Sequence, residues 1–192
     1  DGGIIAYGNI SGGDGDISNY YGAWDAWMIK LDSTGNKVWD YTIGNSGTSF
    51  ATDIIETSDH GLLVSSLFYP GTGGNIECDA YNLKTDIIVL KMDSLANEQW
   101  QQCYSGSGDE TTKASLEVSD GYLLACQASS DDGDVAGAGY HLGYDHLGNQ
   151  TSDIWLIKTG FSGNIIWSKC YGGTKNELAR RIFPTDDGGF IV

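Results

Sequence analysis

The stretch Ile88-Val89-Leu90-Lys91-Met92 decides the fold, because it is apolar on both of its alternating faces up to the lysine. A strand written this way is covered by neighbours on both sides. The same phrase returns as Trp27-Met28-Ile29-Lys30-Leu31 and as Trp155-Leu156-Ile157-Lys158. Each is followed by hairpin chemistry, in Asp32-Ser33-Thr34-Gly35-Asn36, Ser94-Leu95-Ala96-Asn97 and Phe161-Ser162-Gly163-Asn164, and then by a strand bearing Trp39, Trp100 or Trp167. A third strand is predicted over residues 51–57, 112–118 and 179–185. An Asp-Gly type turn leads to a fourth, over residues 62–64 and 122–125. Pro184 lacks a ladder donor and places its strand at a sheet edge.

The recurrence has a fixed frame, Asp25-Trp39-Asp59, then Asp86-Trp100-Asp120, then Asp153-Trp167-Asp187. Self-similarity of this kind indicates repeated units that bury apolar surface against one another. Four short strands per unit, with the middle ones covered on both faces, is the arithmetic of a β-propeller blade. The expectation is an all-β fold of three four-stranded repeats, at residues 1–58, 59–119 and 120–186, with a further repeat starting at 187. Trp39, Trp100 and Trp167 are expected at equivalent buried positions between blades. Propellers close with about four to eight blades, so the chain reads as a segment of a larger propeller within a longer protein. Two copies completing one another are the alternative.

Variation in length falls in one loop per unit: residues 8–24, 67–85 and 128–152. In propeller order these lie on one face, beside the connections 44–49, 106–111 and 172–177, and such loops on a rigid scaffold carry binding. Asp14 and Asp16 in the first loop, and Asp131, Asp132 and Asp134 in the third, are candidate Ca²⁺ ligands, since glycine lets closely spaced carboxylates curl round a cation. Tyr20, Tyr21, Trp24, Tyr69, Tyr81, Tyr140 and Tyr144 sit in the same loops and are candidate contacts for a glycan or a protein. His141, Asp145 and His146 lack the third ligand and the spacing of a zinc site. Lys30, Lys91 and Lys158 recur in register, which points to structure rather than to a single active centre.

Ten basic against 26 acidic residues leave a net charge of -16, which repels nucleic acid and anionic lipid alike. No apolar run reaches the ~20 residues of a membrane helix. Glycine, tyrosine and tryptophan are abundant and lysine scarce, a composition that favours an extracellular address. Cys103 and Cys170 hold the same place in successive units and lie a blade apart. Cys126 and Cys170 are separated by a whole strand, which exceeds the roughly 4.4 to 6.8 Å between Cα atoms that a disulfide tolerates. At most one disulfide is expected, from Cys78 to Cys103 or Cys126, with the others as buried thiols.

The phrases Asp1-Gly2-Gly3-Ile4-Ile5-Ala6, Gly13-Asp14-Gly15-Asp16-Ile17-Ser18, Asp25-Ala26-Trp27-Met28-Ile29-Lys30-Leu31-Asp32 and Ile166-Trp167-Ser168-Lys169-Cys170-Tyr171-Gly172-Gly173 resemble the propeller-type repeats of large secreted and surface proteins that end in a type IX secretion sorting domain. The resemblance spans all three units and departs from the pattern in the second, where Ala96 replaces the turn glycine and the Asp-Gly-Asp phrase is absent. It implies an extracellular scaffold or binding module, and no reaction. More loosely, the hairpin at Leu31 to Trp39 is similar to the tryptophan-docking turn of quinoprotein propellers and to the Asp-box of sialidases, one residue out of register with each. The sequence holds no nucleophile elbow, no HExxH and no phosphate loop. The rival readings are a hydrolase or lyase with its site at the channel of the complete ring, and a structural subunit of a surface assembly.

Overall fold

A computed structural model describes residues 2–192; Asp1, which opens the first expected repeat, lies outside the described residues. The chain is all-β. Strands β1 (Ile4–Ile10), β2 (Asp25–Leu31) and β3 (Lys37–Ile43) form one antiparallel sheet. Strands β4 (Ser49–Glu56), β5 (Leu62–Phe68), β6 (Asp86–Met92) and β7 (Glu98–Tyr104) form the second. Strands β8 (Thr111–Val118), β9 (Gly121–Ala128), β10 (Asp153–Thr159) and β11 (Ile165–Tyr171) form the third. The short pair β12 (Phe183–Pro184) and β13 (Phe190–Ile191) forms a fourth, with Pro184 on a strand that has one partner. In every sheet neighbours in sequence are neighbours in space.

The sheets hold three, four, four and two strands, rather than three sets of four. The difference is one of phase. The strand at residues 51–57, expected to follow β3 in the same unit, opens the next sheet as β4, because the tight turn after Thr57 pairs it with β5. The aspartate frame therefore cuts each sheet between its first and second strands.

Alternation on the middle strands explains the stacking. On β6, Ile88, Leu90 and Met92 enter a core shared with Ala26, Met28 and Ile43 of the first sheet. Ile87 and Val89 point the other way, into a core with Tyr122, Leu124, Cys126 and Trp155 of the third. Leu123, Ala125 and Leu156 then turn their opposite face to Ala179 and Ile182 ahead of β12. Burying each such aliphatic side chain is worth about 1.5 to 3 kcal/mol, and every internal sheet gains it on two faces.

Registers match from sheet to sheet. Lys30, Lys91 and Lys158 stand opposite Trp39, Trp100 and Trp167, and the ladder shifts immediately after each lysine. The ammonium of Lys91 bonds Asp59 at 2.8 and 3.1 Å and the carbonyl of Met92; that of Lys158 bonds Asp120 at 2.6 Å and the carbonyl of Thr159. Lys91 and Lys158 are structural, closing the turn between the first two strands onto the third. The three tryptophans are equivalent but half-buried, not buried as expected. They lie on the outermost strand of each sheet, where the core is open on one side; Trp100 packs on Tyr122 and donates its indole N–H to the carbonyl of Phe161 in the next sheet. The fully buried indole is Trp155, at the centre of a strand.

Candidate functional site: the loop face

The three long loops differ in sequence but are gripped by one device. Asp25, Asp86 and Asp153 open β2, β6 and β10 at the point where each loop rejoins its sheet, and all three are fully buried. The Oδ2 of Asp25 accepts the backbone N–H groups of Tyr21 (2.6 Å) and Gly22 (3.2 Å). Asp86 accepts the N–H of Tyr81, and Asp153 accepts both the N–H and the Nδ1 of His141, each at 2.9 Å. A carboxylate at a strand end has room to turn back and satisfy donors that the loop would otherwise bury unpaired. The residue before each aspartate completes the joint: the carbonyls of Trp24, Thr85 and Ser152 accept the N–H of Ser49, Glu110 and Glu177 on the neighbouring connection, at 2.8, 2.9 and 2.8 Å.

The other oxygen of each aspartate makes no hydrogen bond within the described residues. For Asp25 and Asp153 it lies against a glycine, since a Cβ at Gly44 would fall 2.0 Å from Asp25 Oδ1 and one at Gly172 would fall 2.5 Å from Asp153 Oδ1. In the second joint a further carboxylate is enclosed. Glu110 is fully buried and accepts from the backbone of Gly106 and Ser129 and from the Ser130 hydroxyl, at 3.0, 3.3 and 2.7 Å. Burial pushes Asp86 up to about 6, helped by the charges of Asp134 and Asp109. Burial, then the charge of Asp86, pushes Glu110 up to about 7. Burial raises Asp25 as well.

Each loop is also fastened along the outermost strand of its sheet, and here the chemistry differs. Ser18 donates its N–H and hydroxyl to Asp40 on β3 at 2.8 and 2.6 Å, and Lys37 bonds the carbonyl of Asp16. In the second loop a disulfide joins Cys78 to Cys103 on β7, and Glu77 N–H donates to Gln101 at 2.9 Å. In the third the carbonyl of Ala138 accepts the N–H of Cys170 on β11 at 2.8 Å. Cys126 and Cys170 are buried free thiols, with Trp155 paired between them.

The candidate cation ligands serve these loops in several ways. Asp14 closes a turn through its carbonyl, with Gly15 left-handed at φ 63°, and the side chains of Asp14 and Asp16 are exposed. Asp132 accepts the N–H of Ser107 at 2.7 Å and Asp134 that of Ser105 at 2.9 Å, while Asp131 is exposed. Among the described residues no three His, Cys, Asp or Glu side chains gather as a group able to hold a metal ion. Asp145 holds its own turn through Leu147 and Asn149, and His146 is exposed.

Of the candidate contact aromatics, Tyr20 spends its hydroxyl on the carbonyl of Ala23 and Tyr140 on that of Thr151, and Tyr21 is half-buried. Trp24, Tyr69, Tyr81 and Tyr144 stand outward, from 43% to 56% exposed. Trp24 bridges to Thr48 and packs on Phe50, and Tyr69 N–H donates to the carbonyl of Thr48, so one residue joins the two backbone segments that carry these rings. The frame aspartates were legible as markers of spacing; the signal of their role was that each one ends a loop of changing length. No protein-family model matches this chain, and no curated protein sequence matches it.

Proposed function

We propose that this chain is a non-catalytic extracellular β-propeller module, part of a larger ring, that presents its loop face to a protein or glycan partner. The observation that carries the reading is the common grip of Asp25, Asp86 and Asp153 on three dissimilar loops, which leaves Trp24, Tyr69, Tyr81 and Tyr144 exposed on a pre-ordered surface. Ordering those rings before the partner arrives removes part of the entropic cost of association, and aromatic side chains are what binding surfaces favour. The propeller reading is supported by consecutive four-stranded meanders that share cores, with the first strand of each packed across the sheet before it, β4 on β1 and β2, β8 on β4 and β5. An extracellular address is supported by the disulfide, which persists in oxidising compartments, and by the likeness to type IX secreted repeats.

The test is retention of the purified chain on isolated surface material of the cells that make it, compared with a variant carrying Trp24→Ser, Tyr69→Ser, Tyr81→Ser and Tyr144→Ser. Loss of retention at an unchanged melting temperature is expected. Equal retention of both proteins refutes the loop face as the contact.

A further inference from the structure

Basic residues are scarce here, ten against 26 acidic, and several of them pair with a carboxylate. Lys37, Lys84, Lys91 and Lys158 each have one. Lys113, Arg180 and Arg181 form no ion pair among the described residues. All three line a single cleft of about 360 Å³.

The backbone delivers them there. The β8–β9 register slips between Thr112 and Ala114, so Lys113 is left out of the ladder on the strand that opens its sheet. Arg180 and Arg181 come from the segment that leads into β12. Ile55, Ala114, Ile182 and Phe183 supply apolar walls. The one carboxylate in the cleft is Asp53, whose Oδ2 already accepts the N–H of Ser115 at 2.6 Å.

Gathering like charges costs energy, and Lys113 registers it: burial and the positive charge of Arg180 both disfavour its ammonium form. The fold does not require the charge. At the matching slip in β4, between Ala51 and Asp53, the residue left out is the neutral Thr52. Repulsion that packing does not need is relieved when an anion enters.

We propose that this cleft binds a small oxyanion, the carboxylate or phosphate group of a ligand, between Lys113 and the guanidinium groups of Arg180 and Arg181. Guanidinium forks match both anions in bidentate geometry, and the apolar walls reduce screening of the attraction. The site uses none of the loop-face residues and does not rest on the reading of that face.

Thermal melts test it, in sodium phosphate, in sodium citrate, and in sodium chloride at matched ionic strength. They are run on the native chain, on Lys113→Met and on the double variant Arg180→Gln/Arg181→Gln. At about 10 mM oxyanion the native chain is expected to melt higher than in chloride, because a ligand that binds only the folded state stabilises it. Both variants should need at least about tenfold more oxyanion for the same gain. Without oxyanion, Lys113→Met should melt no lower than the native chain, since it removes repulsion. A gain in phosphate alone assigns a phosphate ligand, and in citrate alone a carboxylate ligand. If neither exceeds chloride, or if the double variant at its two exposed positions keeps the full gain, the proposal is overturned. The double variant decides the matter should Lys113→Met fold poorly.

Discussion

Cys78, in the second long loop, is bonded to Cys103 on the outermost strand of its sheet, with Cα atoms 6.4 Å apart. The bridge closes a stretch with a sequence separation of 25, for which loop-closure entropy corresponds to about 3.5 kcal/mol of stabilisation. Reduction, or Cys78→Ser with Cys103→Ser, is expected to remove that stabilisation and so lower the melting temperature. Hydrogen exchange should quicken most between Tyr69 and Thr85. Calorimetry with and without reductant checks the first, and equal melting in both would show that Glu77, Gln101 and Asp86 hold the loop unaided.

Gly44 is required by space rather than by backbone conformation. A methyl group there would fall 2.0 Å from Asp25 Oδ1 and 3.1 Å from its Cβ, in the joint that anchors the first loop. Gly44→Ala is expected to cost about 1 to 3 kcal/mol, the range for overpacking a buried site. Gly12→Ala meets nothing within 4 Å and should be nearly neutral. Urea titration of the two variants side by side makes the comparison.

What the sequence made legible follows from periodicity. Ile88 to Met92 alternates between two cores because both of its faces are apolar, and that much is written in the residues. The joining of Cys78 to Cys103 rather than Cys126 was not decided, because it depends on which strand the second loop runs along. The carboxylates of Asp25, Asp86 and Asp153 were hidden for another reason. An aspartate reads as a surface residue until the backbone donors of Tyr21, Tyr81 and His141 are seen to converge on it. Lys113, Arg180 and Arg181 are far apart in sequence from Asp53, and only a slipped register and a neighbouring sheet bring them to one cleft.

Lys158 and Asp120 form an unequal pair: the lysine side chain is 11% exposed, the aspartate 69%. Removing the exposed partner should therefore do more harm than removing the buried one. Asp120→Asn leaves an enclosed ammonium with the carbonyl of Thr159 as its remaining bond, whereas Lys158→Met replaces the charge with an apolar chain of similar length. Melting temperatures are expected to fall in the order native, Lys158→Met, Asp120→Asn, and the reverse order of the two variants would count against an enclosed charge.

The pH dependence of stability should carry the mark of Asp86 and Glu110. Their folded pKa values are raised, to about 6 and about 7, chiefly by burial. For such groups the folded state binds more protons than the unfolded one across the interval between the two pKa values. Stability from this pair is therefore greatest at acid pH and is lost as pH rises from about 4 through about 7. Asp40 and Asp59 act in the opposite sense. At Asp40 burial pushes upward but is outweighed by hydrogen bonds from Lys37 and Ser18, and at Asp59 the bond from Lys91 leads, so both lie below the ordinary carboxylate range and their contribution is lost only as pH falls below about 4. The joint contribution of these four groups is greatest near pH 4 to 5, about where the raised ones are protonated and the lowered ones are still ionised. Glu110→Gln, a neutral stand-in for the protonated acid, should flatten the decline between about pH 4 and 7 while leaving the acid limb unchanged. Denaturant titrations across that range are the measurement. A decline as steep in Glu110→Gln as in the native chain would mean that Glu110 is not the group losing its proton.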